Sequence, residues 1–314
     1  MSKIAITDFI SEPDIEKEIL GEFISTRVTE ETEVLLVWHE KINSEYIEKL
    51  PKLKAVQRYG VGYDTIDLDI LRSKGIIVCN NPDYGIDEVS DTTIAMITNI
   101  ARGMTIYNDS SKRYFSTWQE NFNKLIKRNS ETVVAIIGAG RIGGSVVLRC
   151  NALKFNVIFY DKYKERGYEK LLAARRVDSL EEALYYSDIV SIHVPLNDET
   201  KGMIDQSFVD KMRTGSSLVN TARGGLFYDL DIIYEALRAE KLYQFATDVL
   251  PDEPPGSCKL IDAWRGSEDW INSRMIINPH AAYYSYESLI EMRVKAAKNA
   301  LRLLMDELPH NRII

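Results

Sequence analysis

Residues 133–150, VVAIIGAGRIGGSVVLRC, decide how the rest of the chain is read. An apolar run, Val133–Ile137, gives way to Gly138, Gly140 and Gly143 in GxGxxG spacing, and an amphipathic helical pattern follows. A strand that turns through glycines into a helix has the form of a dinucleotide-binding unit. The first glycine permits a tight turn, the second lets the main chain approach a pyrophosphate, and the third allows close helix–strand packing. The helix start, where Arg141 and Ile142 stand, would offer N–H groups and partial positive charge to phosphate. The next apolar run, NVIFYD, ends on Asp161, about twenty residues on, where a carboxylate accepts from ribose hydroxyls. That carboxylate repels a 2′-phosphate, so NAD is expected over NADP, with Lys162 working weakly against the preference. A glycine turn that binds nothing is the plainer alternative; the strand, helix and acid, each in its required place, argue against it.

Outward from this stretch, short β-rich runs alternate with helical periodicity throughout. Before it come Ile4–Phe9, Val34–Trp38, Ala55–Tyr59 and Ile76–Cys79. After it come Val157–Tyr160, Ile189–Val194, Ser217–Asn220, Phe245–Val249 and Met275–Asn278. Helices are expected over Ser44–Leu50 with Ser44 as cap, Asp67–Lys74 closed by Gly75, and Tyr286–Leu308. Strands alternating with helices imply βαβ units and parallel sheets, an α/β class with two doubly wound domains. Between the cycles, Glu88–Arg128 reads as a helix followed by an extended crossing anchored by Trp118 and Phe122. No flexible linker joins the cycles, which implies two rigid domains with a ligand cleft.

Composition excludes several classes. The 314 residues carry a net charge of −8, which argues against a nucleic-acid footprint. No run approaches 18 uncharged apolar residues, so no membrane span is expected. The N-terminus lacks the pattern of a secretory or transit segment, and a cytoplasmic location is expected. Cys79, Cys150 and Cys258 are three without metal-ligand spacing, the first two read as buried hydrophobes and Cys258 as a loop residue. The four histidines form no ligand pair, so no metal is expected.

LVNTARGGL (218–226), ATDVLPDEPP (246–255), INPHAAYYS (277–285) and YGVGYDTID (59–67) together resemble the D-isomer-specific 2-hydroxyacid dehydrogenase family. The resemblance runs from about Val34 to about Arg302 and is closest to the C-terminal binding protein branch, on FNVIFYDKY, MRTGSSLVNTARGGL and PHAAYYS followed by IEMRVKAA. It implies a Rossmann-type cofactor domain inserted in a flavodoxin-like substrate domain, here residues 101–287 within 1–100 and 288–314. It implies a homodimer as well.

The resemblance assigns Arg223, Glu253 and His280 as the catalytic set of a reductase acting on a small 2-oxo acid with NADH. The residue types suit that chemistry. Histidine exchanges protons near neutrality, a neighbouring carboxylate stabilises its charged form, and a guanidinium offers a planar fork to a carboxylate and ketone. Singly, each has a plainer reading: a structural histidine at a strand end, a turn arginine facing water, and a solvated acid in a proline-rich loop. Their joint order and spacing favour the functional one. The substrate carboxylate is expected at a nest-like turn of Val61 and Gly62, beside Arg58, which otherwise reads as a strand-end ion pair.

The same resemblance makes Thr93, His193, Pro195, Asn197, Thr221, Ala222 and Asp248 cofactor contacts, with Asp248 on the nicotinamide carboxamide. Tyr283 stands where the branch has tryptophan, adding a hydroxyl to an aromatic wall. The loop between Glu253 and His280 is longer than the family's and carries Trp264 and Trp270; it is expected to border the pocket or dimer surface, the tryptophans otherwise being packing anchors. Two other readings stay open: an NAD(H)-sensing binding protein of the corepressor kind, and a dehydrogenase of phosphorylated or phosphonate substrates. The chain ends at Ile314 without those corepressors' long tail, which favours the enzyme, as does the complete catalytic set.

Overall fold

Val34-Leu35-Leu36-Val37 is buried at all four positions, as a strand covered on both faces requires. The computed structural model, which describes residues 3–113, 118 and 122–314, places it at the centre of a parallel sheet. That sheet comprises β1 (Ile4–Ile6), β2 (Ile24–Ser25), β3 (Val34–Val37), β4 (Ala55–Arg58) and β5 (Ile77–Cys79), ordered β2-β1-β3-β4-β5. The second comprises β6 (Val133–Ile137), β7 (Asn156–Tyr160), β8 (Arg175–Arg176), β9 (Ile189–Ile192), β10 (Ser216–Asn220), β11 (Leu242–Thr247) and β12 (Met275–Ile277). Its order is β12-β11-β10-β9-β6-β7-β8, again all parallel. The first is a flavodoxin-like order and the second a Rossmann order whose direction reverses between β6 and β9. The edge strands β2 and β8 are two residues each, too short to leave a hydrophobic run in the sequence.

The chain divides into two compact units, Met1–Gly85 with Tyr284–Ile314, and Ile86–Tyr283. These boundaries fall earlier than those expected at 100/101 and 287/288. The reason is the helix Ile86–Arg102: its Met96, Ile97 and Ile100 are buried among Val134, Ile136, Val146 and Cys150 of the second unit.

In the first unit the C-terminal helix Tyr286–Leu304 lies against β3, β4 and the helix Asp14–Leu20. Its start is a capping box in which Ser285 and Ser288 each accept the other's N–H. Glu16, fully buried, accepts hydrogen bonds from Tyr59 Oη (3.0 Å) and from Arg293 Nε (3.0 Å) and Nη2 (2.6 Å). A buried carboxylate is tolerated only with such partners.

Several local expectations shift. Asn43, not Ser44, caps the helix Ser44–Glu48, because its side chain accepts from Tyr46 N–H at 3.0 Å. Asp67 caps Leu68–Ser73 rather than belonging to it, and Tyr286–Leu304 stops short of Leu308. The crossing holds a second helix, Met104–Lys112, entered through Gly103 at φ 60°. Residues 114–117 and 119–121 of it lie outside the described residues. Trp118 and Phe122, expected as anchors, are 62% and 87% exposed.

The segment between Glu253 and His280 forms a helix, Lys259–Arg265, with Leu260, Ile261 and Ala263 buried against the helix Leu230–Arg238. Trp264 and Trp270 pack on that core, and Trp270 meets Tyr234 edge-on at 5.4 Å, so both tryptophans are packing anchors. Cys79 and Cys150 are buried, and burial pushes their thiols up to about 11 and about 12. Cys258 is partly buried.

Candidate active site

The glycine turn behaves as its spacing requires. A Cβ on Gly143 would fall 1.9 Å from Gly138 O, and one on Gly138, at φ 90°, would fall 2.9 Å from the His193 carbonyl. Gly140, by contrast, faces open space, where a ligand can approach its main chain. It precedes the helix Arg141–Ala152, whose first N–H groups open on the same turn. Ile142 packs on the core below, and Arg141 is exposed at the helix start.

Asp161 follows β7 and tightens the turn itself: Oδ2 accepts from Ala139 N–H (2.8 Å) and Oδ1 from Tyr163 N–H (2.9 Å). His193 follows β9 and lies beneath the turn. Its Nε2 meets Ser191 Oγ at 2.9 Å, and burial pushes the imidazole down to about 3. Pro195 and Asn197 belong to the next turn, where Thr200 Oγ1 donates to Pro195 O (2.6 Å) and Asn197 Oδ1 accepts from two N–H groups. Thr93 and Thr221, both buried, share a hydrogen bond of 2.8 Å.

After β10, Asn220 staples the turn that carries Arg223. Its Oδ1 accepts from Ala222 N–H (2.9 Å) and its Nδ2 donates to Arg223 O (3.0 Å). Arg223 Nη1 donates to Ala222 O at 2.7 Å. A Cβ on the next residue, Gly224, would sit 1.9 Å from Leu250 O. The arginine turn therefore abuts the loop bearing Glu253.

Glu253 and His280 form the centre of the group. His280 Nδ1 lies 2.6 Å from Glu253 Oε2, while Glu253 Oε1 accepts from Leu250 N–H at 2.8 Å. Burial raises the carboxyl, but the bonds to His280 and Leu250 and the charge of Arg223 outweigh it, leaving Glu253 below its ordinary range. The pair is half-exposed, His280 at 42% and Glu253 at 36%.

His280 adopts φ 52°, a left-handed conformation rare outside glycine. Asp248 holds it there. Asp248 O accepts His280 N–H (2.8 Å), and its Oδ1 accepts from Asn278 Nδ2 (2.6 Å), Ala281 N–H (2.9 Å) and Ala282 N–H (3.0 Å). Burial raises the Asp248 carboxyl above its ordinary value against those bonds. The Tyr283 ring stands edge-on to His280 at 6.5 Å.

The residues expected to hold the substrate carboxylate lie in the first unit. Arg58 ends β4 and Nη1 donates to Val37 O at 3.4 Å. Gly60, which precedes Val61, lies outside the left-handed region. A Cβ on Gly60 would come 3.3 Å from Arg58 Nη1. Val61 O accepts from Asn80 Nδ2 at 2.6 Å. Motif reading contained Asn220 and Asn278 within its strings but gave them no role, and it passed over Asn80; the three orient the candidate turns.

Comparison with known proteins agrees with this geometry. The model for the D-isomer specific 2-hydroxyacid dehydrogenase NAD binding domain matches residues 94–282. D-3-phosphoglycerate dehydrogenase of Methanocaldococcus jannaschii is 32% identical over 322 residues, covering 99% of this chain and 59% of its own length. C-terminal-binding protein 1 of Caenorhabditis elegans is 28% identical over 319 residues, covering 99% of this chain and 41% of its own. The chain thus spans between two fifths and three fifths of these relatives. Among solved structures, D-lactate dehydrogenase from Aquifex aeolicus, complexed with NAD and lactic acid, superposes with a TM-score of 0.84 at 28% identity, covering 97% of this chain and 96% of that one. On the matched domain, the sheet order and the glycine turn, the chain belongs to the D-isomer specific 2-hydroxyacid dehydrogenase family.

Proposed function

We infer that the protein interconverts a small 2-oxo acid and its D-2-hydroxy acid, with NAD as the hydride carrier and His280 as general acid and base. The observation that carries this reading is the 2.6 Å contact between His280 Nδ1 and Glu253 Oε2. With Nδ1 engaged by the carboxylate, Nε2 is the atom that exchanges a proton with the substrate oxygen.

The residues present fit a dinucleotide. Gly138 and Gly143 leave no room for a side chain, Gly140 leaves its main chain approachable, and Asp161 stands at the ribose end. When bound, NADH supplies hydride to C2. In that direction His280 gives its Nε2 proton to the developing alkoxide, and Glu253 stabilises the imidazolium beforehand. The Arg223 guanidinium binds the carboxylate and polarises the ketone. Asp248 fixes the His280 turn and is assigned the carboxamide as well. Thr93, Thr221 and Ala222 line the cofactor side with Arg141, Ile142, His193, Pro195 and Asn197. Arg58, Val61, Gly62 and Tyr283 are assigned to the substrate. A homodimer is the proposed assembly.

Mixing the protein with NADH and a panel of 2-oxo acids, while following absorbance, tests the reading. Turnover of at least one acid that His280→Ala lowers by about 100-fold or more is the expected result; tight NADH binding without turnover on any would instead indicate a sensor. The similarity to D-3-phosphoglycerate dehydrogenase supports a second substrate class, phosphorylated 2-oxo acids, which the same panel should include.

A further inference from the structure

β7 and β9 lie on either side of β6, so the loops after them flank the glycine turn at one end of the sheet. Neighbouring strands are about 4.8 Å apart, so side chains from those loops must span roughly 10 Å to meet. Glu199 does so. Its Oε1 pairs with Lys162 and its Oε2 accepts the Tyr163 hydroxyl. Lys162 Nζ also lies 4.9 Å over the Tyr163 ring.

Both ends of this bridge are built. On the β7 side, Asp161 Oδ1 accepts Tyr163 N–H at 2.9 Å, and Arg176 Nη2 donates to Asp161 O at 2.9 Å. On the β9 side, Asn197 Oδ1 accepts from Glu199 N–H and Thr200 N–H, both at 3.1 Å. Thr200 Oγ1 donates to Pro195 O at 2.6 Å and accepts from Asn197 N–H at 3.0 Å. The main chain beneath Glu199 is thereby fixed.

We propose that Glu199 determines cofactor choice: it holds Lys162 across the adenosine end of the glycine turn, so a 2′-phosphate meets the Asp161 and Glu199 carboxylates with that lysine already committed. The inference rests on the dinucleotide reading of Gly138–Asp161 but not on the catalytic set. Lys162 alone, directly after Asp161, would favour a phosphate; paired, it adds no net charge to the ribose site. The bridge is half-exposed, at 46% and 48%, where an ion pair contributes little to folding. Its consequence is local charge. The pairing lowers the Glu199 carboxyl and raises the Lys162 ammonium from their ordinary values, so both stay ionised through the neutral range. Arg176, also beside Asp161, is spent on the main-chain carbonyls of Asp161 and Glu165.

Equilibrium binding of NADH and NADPH, without substrate, tests the proposal on the wild type, Glu199→Gln and Glu199→Gln/Lys162→Gln. The wild type should prefer NADH. Glu199→Gln should tighten NADPH by roughly five- to tenfold while NADH changes by less than about twofold, and the second substitution should remove the gain. The gain should shrink in high salt, as a released lysine meeting a phosphate requires. Equal effects of Glu199→Gln on both dinucleotides, or a wild type that binds them alike, would overturn it. Because no turnover is measured, failure of the dehydrogenase reading leaves these outcomes untouched.

Discussion

His280, the proposed general acid and base, adopts a backbone conformation that costs a non-glycine residue about 1–2 kcal/mol. The four hydrogen bonds accepted by Asp248 from residues 278, 280, 281 and 282 hold it there. Removing the imidazole, His280→Ala, should lower kcat by about 100- to 10,000-fold while NADH affinity changes little. Steady-state kinetics paired with a fluorescence titration checks the split. Glu253→Gln keeps the shape but removes the charge beside His280 Nδ1, so kcat should fall with little change in NADH affinity. An unchanged kcat would mean that the carboxylate does not support the imidazole. The turns that carry Arg223, Glu253 and His280, the proposed catalytic set, were legible in the sequence because each stands in a motif that survives as a string. Asn220 and Asn278 lie in the same strings, but their role in holding the turns was not legible, because it is a hydrogen-bond geometry and not a spacing.

The glycine turn and the loops around it are held by close main-chain approach. Gly224→Ala would drive a methyl into the Leu250 carbonyl, 1.9 Å away, and displace the loop that carries Glu253. Turnover should fall with less effect on NADH binding, whereas Gly143→Ala, which would meet Gly138 O at the same separation, should weaken NADH binding first. Kinetics and binding measured on both variants distinguish the two losses. Strands were readable where both faces are buried, as in β3 and β6. The edge strands β2 and β8 escaped notice because two residues make no pattern. The helix Lys259–Arg265 was read as part of a loop bordering the pocket or the dimer surface; its apolar positions pack into the core.

Stability of the entire chain should depend on His193. Its imidazole is held down to about 3 by burial, so the unfolded chain binds a proton as pH falls through about 6.5 and the folded one does not. The chain should therefore lose stability on acidification from about 6.5 towards 3, by at most about 1.4 kcal/mol per pH unit from this group. Part of its surface is exposed, so the loss lies below that limit. Urea denaturation at pH 7.5 and 5, with His193→Gln as control, measures it; a slope unchanged in the variant would remove His193 as its source. The alternation of strands and helices made both parallel sheets legible. It did not locate the division at residues 85/86, because the helix Ile86–Arg102 carries no sign of which sheet it will cover.

The first unit draws on both ends of the chain, and its Glu16 is neutralised by Arg293, almost the full chain length away. During synthesis, residues 1–85 leave the ribosome with that acid lacking its guanidinium and with β3 and β4 lacking their covering helix. The contiguous stretch between can complete its own core sooner. Residues 1–85 thus emerge before their partner stretch 284–314 and must wait for it to complete their core.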